Sequence, residues 1–252
     1  MSGILFASDL DNTLMFSYKY RTDSDVCVEY LDGKAQGFCT QTSLELLTRV
    51  CREAQFVPVT TRSIAQYQRI AWPCAPRYAV TTNGGILLVD GAIEPTWYAQ
   101  TQALAAPWRD ALLDLQSRLP EAPMLKRHRM VDDLYLFAAC DDAASAETGR
   151  RFFVGKTPLR IETSGRKVYF FPPPLHKGEA IRRLVERFSP RTTICAGDSV
   201  IDIPMLRAAD LAIVPHAELL ERSGLRIAPS NTRFPDFVLK TVLQECQSSD
   251  KS

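Results

Sequence analysis

Short apolar runs that break off into polar clusters recur along this chain. Ile4-Leu5-Phe6-Ala7 runs into Ser8-Asp9-Leu10-Asp11-Asn12-Thr13, and Phe56-Val57-Pro58-Val59 stops at Thr60-Thr61-Arg62. Tyr78-Ala79-Val80 leads to Thr81-Thr82-Asn83-Gly84-Gly85, and Thr193-Ile194-Cys195-Ala196 to Gly197-Asp198-Ser199. Between them lie stretches of helical period, one carrying Leu44, Leu47, Cys51 and Ala54, another Ile181, Leu184, Val185 and Phe188. Unbroken apolar strands alternating with amphipathic helices predict an α/β fold whose parallel sheet is covered on both faces. Thr42-Ser43-Leu44-Glu45 reads as a capping box, and Asp202 with Pro204 as a further helix start. Leu211 to Val214 reads as another strand, and residues 236–246 as a last helix before a frayed polar tail, Ser248 to Ser252.

Two segments depart from the alternation. Residues 26–39 read as a hairpin turning at Asp32-Gly33, placed to cover whatever binds beside Asp9 and Asp11. From Ile86 to Phe171 the pattern becomes paired short strands with helices near 103–119 and 143–152, and Asp132-Asp133 reads as a tight turn. Such a mixture predicts an α+β insert, with Pro172-Pro173-Pro174 as its stiff exit. The expected division is a core of residues 1–85 and 173–252 around an inserted domain of residues 86–172.

The chain of 252 residues is 46% apolar and 23% charged, with a formal net charge of +1. That balance does not ask for a nucleic-acid or membrane partner, and no stretch approaches the roughly 18–20 apolar residues of a spanning helix. No secretory signal is read, so a cytoplasmic protein is expected. Seven scattered cysteines without C-x-x-C spacing, and three histidines, do not point to zinc. Cys27 and Cys39 could meet across the hairpin, but small buried thiols are the expectation. Gly155-Lys156-Thr157 is not a phosphate-binding loop, because five residues follow Gly149 instead of four and Pro158 sits where a helix should begin. The basic cluster Lys126-Arg127-His128-Arg129 reads as a solvated strand face; the sharper reading is a pocket wall for a second anionic group, with Arg166 and Lys167 nearby.

Asp9 and Asp11 carry the chemistry. Two residues apart at a strand end, both carboxylates can converge on one point, where a cation relieves their repulsion. Mg²⁺ is the natural partner, a hard ion that takes oxygen ligands. Thr60, Lys177, Asp198 and Asp202 fall at other strand ends or helix starts, the edge where open α/β sheets bind ligands.

This set, in this order, resembles the haloacid dehalogenase-like (HAD) phosphatases, and within them the Cof-type and sucrose-phosphate-phosphatase-like branch. The resemblance implies a Rossmann-like core with an inserted α+β cap and a small phosphorylated metabolite as substrate. It implies Asp9 as nucleophile, Asp11 as general acid and base, Thr60 on a phosphoryl oxygen and Lys177 as its neutralising charge. Asp9, the Asp11 main-chain carbonyl and Asp198 would hold Mg²⁺, with Asp202 close behind. Thr13, Thr61, Arg62, Asn83 and Gly84 would line the substrate site. Thr61 stands where the family often has Gly, and Ile201 where its fourth motif has Asn; Ile201 offers no ligand atom. A phosphomutase, or a binding protein on the same scaffold, remains an alternative.

Overall fold

The computed structural model describes residues 3–249. The chain begins with β1 (Ile4–Ser8), β2 (Phe16–Ser17), β3 (Val26–Leu31), β4 (Lys34–Cys39), α1 (Gln41–Glu53), β5 (Gln55–Pro58) and the single turn α2 (Ile64–Tyr67). It continues through β6 (Tyr78–Thr81), β7 (Ile86–Val89), β8 (Ala92–Ile93), α3 (Pro95–Ala105), α4 (Arg109–Arg118), β9 (Arg127–Val131), β10 (Tyr135–Ala139) and α5 (Ala143–Phe153). Then follow β11 (Arg160–Ser164), β12 (Lys167–Phe171), α6 (Lys177–Phe188), β13 (Thr192–Ala196), α7 (Ile203–Arg207), β14 (Leu211–Val214), β15 (Leu225–Ile227) and α8 (Phe234–Ser249).

The core is the expected parallel sheet, five strands in the order β15-β14-β13-β1-β5. Period-two alternation sorts its side chains between two helix layers. Ile4, Phe6, Ile194 and Ile213 pack with Leu47 of α1 and Val238 and Val242 of α8. Leu5, Ala7, Cys195 and Val214 pack instead with Ile181 and Leu184 of α6 and Met205 of α7. Burial on both faces explains the unbroken apolar runs. Pro58 is tolerated because the bonds at this end of β5 do not ask it for an N–H: Val59 N–H returns to Ser8 O at 2.7 Å, and on the other side Thr60 N–H bridges to Val80 O of β6 at 2.9 Å.

A second sheet, β11-β12-β10-β9, is antiparallel and carries the cap. Leu136, Ala138, Val168 and Phe170 point to one face, where Leu112 and Leu115 of α4 and Phe153 of α5 bury them. The other face looks toward the core, and its Tyr135, Tyr169 and Phe171 join the apolar cluster of β1 and α1. β7 and β8 pair with β6 rather than with the cap sheet, and Leu87 and Trp97 pack with α6.

Several local expectations shift. Thr40, not Thr42, caps α1, its hydroxyl accepting from Ser43 N–H at 2.8 Å and donating to Asp236. Pro107 splits the helix expected over 103–119 into two. α8 runs through Ser249, into the segment expected to fray, and residues 250–252 lie outside the described residues. Cys27 and Cys39 are free, their register offset by one, while Cys51 and Cys74 form a disulfide where isolated thiols were expected. Among the described residues no helix is long and apolar enough to cross a membrane.

Candidate active site

The floor of the site is built where β1 and β13 end side by side. Asp9 N–H bonds to Ala196 O at 2.9 Å, which fixes Asp9 beside the 197–199 turn. The chain then coils tightly: Leu10 O accepts from the N–H groups of Thr13, Leu14 and Met15, and Asn12 takes φ 62°. This turn leaves Asp9 buried and lets the Asp11 side chain reach out. Thr13, fully buried, donates its hydroxyl to Asp198 Oδ1 at 3.2 Å.

Lys177 is the first residue of α6, a place where the helix dipole disfavours a cation. Two carboxylates offset that: its ammonium lies 2.5 Å from Asp9 Oδ1 and 2.6 Å from Asp202 Oδ1, with 1% of the side chain exposed. Gly178 permits the approach, since a Cβ there would stand 2.6 Å from Pro204 O at the start of α7. Burial alone would lower the Lys177 pKa, but Asp202 and Asp9 hold it above its ordinary value. Burial raises Asp9 well above the usual carboxylate range against the pull of Lys177, with Asp202, Asp198 and Asp11 adding to the rise. Burial and then Asp202 push Asp198 up to about 6.

Such elevated carboxylates fit a cation. Oxygens of Asp9, Asp198 and Asp202 all lie within 4.8 Å of one another, an all-oxygen set suited to Mg²⁺. Asp202 is already committed, however. Its Oδ1 holds Lys177, while Oδ2 accepts from Asp198 N–H, Ser199 N–H and the Ser199 hydroxyl at 3.2, 3.0 and 2.9 Å. Its two oxygens thus serve Lys177 and the 198–199 turn, which leaves Asp9 and Asp198 as the side chains able to offer oxygens to a cation. Ile201 turns away into the apolar cluster with Phe171 and Leu175.

Above this floor lies a cavity of about 400 Å³ between core and cap, reached by Asp11, Thr61 and Arg62. Thr60 is fully buried and its Oγ1 accepts from Arg62 N–H at 3.1 Å. Arg62 grips Asp11 with two hydrogen bonds and reaches Glu29 Oε2 at 2.9 Å. Burial works against Asp11 ionising, yet Arg62 holds its carboxyl down at about 2.

Three residues assigned to the substrate site fall elsewhere: Thr13 lies in the floor against Asp198, and Asn83 and Gly84 lie beside the cap's exit. Asn83 is buried away from the cavity, its amide donating to Leu175 O at 3.2 Å, and Gly84 follows it against the 175–176 linker. They join the core to the cap's exit and do not reach the cavity. The expectation that Asn83 and Gly84 line the substrate site is not met by this cavity: a left-handed turn at Asn83, φ 57°, goes with a side chain pointing to Leu175.

Three contributors were not read from the sequence. Glu29, 3% exposed, ties Arg62 and Arg69 together from the hairpin. Asp132, at the tip of the β9–β10 turn, accepts from Thr82 Oγ1 at 2.5 Å and Ile64 N–H at 3.3 Å. Tyr135 donates to Thr61 O at 2.5 Å. The last two clasp cap to core beside the cavity.

No family model matches the chain, and no curated protein matches it either. Solved structures do match over its whole length. The sucrose-phosphatase from Synechocystis sp., in complex with sucrose and phosphate, is 16% identical, with 99% of each chain covered and a TM-score of 0.67. A Thermoplasma acidophilum protein is 14% identical over 96% of this chain and 97% of its own, with a TM-score of 0.63. The C-terminal domain of C. albicans trehalose-6-phosphate phosphatase is 12% identical over 97% of this chain and 93% of its own, with a TM-score of 0.62. From end to end the chain shares the fold of these sucrose-phosphatase and trehalose-6-phosphate phosphatase structures.

Proposed function

We infer that the protein is a Mg²⁺-dependent phosphatase that hydrolyses a small phosphate monoester, a sugar phosphate or a close relative, through an aspartyl-phosphate on Asp9. The observation that carries this reading is Lys177 buried between Asp9 and Asp202, with Asp198 alongside, beneath a cavity that ends on Asp11. Asp9, Asp198 and the Asp11 carbonyl would hold the ion, whose chemistry is to neutralise charge on the phosphoryl oxygens.

In the first half-reaction an Asp9 oxygen bonds to phosphorus and the bond to the leaving alcohol breaks. Asp11 supplies the proton that the departing oxygen needs. In the second, water attacks the phosphorus, Asp11 takes its proton, and Asp9 is regenerated with release of phosphate. Lys177 and the hydroxyl of Thr60 stabilise the phosphoryl oxygens, and positioning supplies much of the acceleration. Asp11 cannot donate while Arg62 holds it ionised. A phosphate ester entering the cavity competes for that guanidinium, and its transfer to the ester frees Asp11 to carry a proton. Tyr135, Phe137 and Tyr169 offer rings on which the C–H faces of a sugar can stack. The sucrose and phosphate complex of the Synechocystis neighbour supports a sugar-bearing substrate.

Phosphate release from a library of phosphorylated metabolites, with Asp9→Asn and Asp198→Asn as controls, tests the reading. Mg²⁺-dependent turnover that both substitutions abolish is expected. Turnover by Asp9→Asn equal to that of the unaltered protein would overturn it.

A further inference from the structure

The cavity carries more positive charge than a phosphoryl group requires. Among the described residues its lining has six cationic side chains, Lys19, Arg62, Arg69, Arg129, Arg166 and Lys167, against two carboxylates, Asp11 and Glu29. Both carboxylates are already engaged, Asp11 by Arg62 and Glu29 by Arg62 and Arg69. Among the described residues Lys19, Arg129, Arg166 and Lys167 therefore face the cavity with no carboxylate within ion-pair distance, although Asp11 and Asp9 act on Lys167 from farther off.

Three of these four come from the cap, and the strand register places two of them, Arg129 and Lys167, on one face. Arg129, Phe137 and Tyr169 stand in one row across β9, β10 and β12. Arg127, Ala139 and Lys167 form the next row on the same face. The intervening residues, Ala138 and Val168 among them, are buried against α4 and α5. The core-facing side of the sheet is thus aromatic rings bordered by cations, and Arg129 lies 5.6 Å from the centre of the Phe137 ring. Arg166, in the β11–β12 turn, adds a third cation beside Lys167. The phosphoryl charge would be met lower down, by Lys177, by Arg62 and by the ion that Asp9 and Asp198 would hold, so Arg129 and Arg166 are left for the rest of the substrate. A neutral sugar would remove water from them and return nothing, because a desolvated charge needs a counter-charge.

We propose that the alcohol part of the substrate carries its own anionic oxygen group, a carboxylate or a second phosphate, which the cap's Arg129, Arg166 and Lys167 recognise. The proposal rests on the phosphatase reading of the floor. Guanidinium forks suit either oxygen group, and the aromatic rows between them suit a carbon chain or sugar ring linking the two ends.

Matched esters test it. Sorbitol 6-phosphate and 6-phosphogluconate present the same phosphoryl position and differ by one carboxylate; fructose 6-phosphate and fructose 1,6-bisphosphate differ by one phosphate. The expected result is a kcat/KM at least about tenfold higher for the charged member of one pair, equivalent to ~1.4 kcal/mol. Which pair shows it tells carboxylate from phosphate. Added salt should erode the charged member's advantage, since the attraction is screened, and this readout needs no variant. In the double variant Arg129→Gln/Arg166→Gln the ratio should fall toward one. Equal or better turnover of the neutral member in both pairs would overturn the proposal while leaving the phosphatase reading standing. So would a ratio unchanged in the double variant. No phosphate release from any ester, p-nitrophenyl phosphate included, would overturn both.

Discussion

The guanidinium of Arg62 forks onto the carboxylate of Asp11, Nε to Oδ2 at 2.9 Å and Nη2 to Oδ1 at 2.8 Å. The group proposed to move protons is thereby held fully ionised. Folded Asp11 titrates at about 2 against an unperturbed 3.8, so its stabilising contribution is complete above 3.8 and lost as pH falls toward 2. Arg62→Gln removes the pair, and the Asp11 midpoint should rise from about 2 toward its unperturbed 3.8. Carboxyl-resolved NMR in chelator reads it directly. A midpoint still near 2 in the variant would show that something other than Arg62 sets it.

If Asp11 supplies the leaving group's proton, its removal must hurt poor leaving groups most. Asp11→Asn should reduce turnover of an alkyl phosphate by ~10²–10⁴-fold, the usual range for a general acid. The first-turnover burst with p-nitrophenyl phosphate, whose leaving group needs no proton, should fall far less. Equal losses on both substrates would remove Asp11 from the acid role.

The Lys177 ammonium bridges Asp9 and Asp202, and neither acid has another cation within ion-pair distance among the described residues. Lys177→Met strands two buried carboxylates, and breaking such a buried pair typically destabilises by about 3–5 kcal/mol. Urea unfolding in chelator should show that loss, partly recovered in Lys177→Met/Asp202→Asn because one orphaned charge is gone. Wild-type stability in the single variant would mean the carboxylates are neutral or solvated.

Much of this floor was legible in the sequence because strand ends and helix starts fix where Asp9, Lys177 and Asp198 point. Backbone irregularity hid the rest. Val26 to Leu31 alternates, yet the register slips at Cys27/Glu29 and again at Glu29/Tyr30, and this bulge turns Glu29 inward to Arg62. Gly37 opposite makes the room, since a Cβ there would stand 3.1 Å from Glu29 Oε2. No period in the sequence records such a slip. The clasp by Asp132 was hidden for another reason: the turn was read, but its docking partners, Thr82 and Ile64, lie 50 and 68 residues away. The basic strand read as a solvated face has Arg129 on the cavity side, a matter of which face the cap turns to the core.

Removal of the ion should leave a protein that prefers acid. Asp9 and Asp198 titrate above their unfolded value, Asp198 at about 6 against 3.8, so across that window the folded state binds more protons than the unfolded state. Their contribution to stability therefore declines as pH rises through it. In chelator, Asp198→Asn should raise stability at pH 8 by about 1–2 kcal/mol, a figure discounted for partial exposure, while abolishing the response to Mg²⁺. Unaltered protein at a free Mg²⁺ concentration a hundredfold above Kd should gain about 2.7 kcal/mol, or roughly 5–10 °C in melting temperature. A variant less stable than the parent in chelator at pH 8 would contradict the mutual repulsion on which this depends.

Asp132 clasps the cap by one carboxylate oxygen, which accepts from Thr82 Oγ1 just after β6 and from Ile64 N–H at the start of α2. Tyr135, three residues on, holds Thr61 O and lines the cavity at the same time. Asp132→Ala should therefore loosen the cap without touching the floor. Hydrogen bonds to a charged acceptor contribute about 1.5–3 kcal/mol each when intact, and water recovers part of that at a partly exposed site. The expected consequence is selective. Turnover of a sugar phosphate that spans floor and cap should lose about tenfold in kcat/KM, the equivalent of ~1.4 kcal/mol. p-Nitrophenyl phosphate, too short to engage the cap cations, should change by less than about threefold, or ~0.7 kcal/mol. The comparison is internal to one variant, so misfolding would depress both substrates together and be recognised as such. Equal losses with an unchanged melting temperature would instead show that the clasp serves the chemistry on the floor and not the grip of the cap.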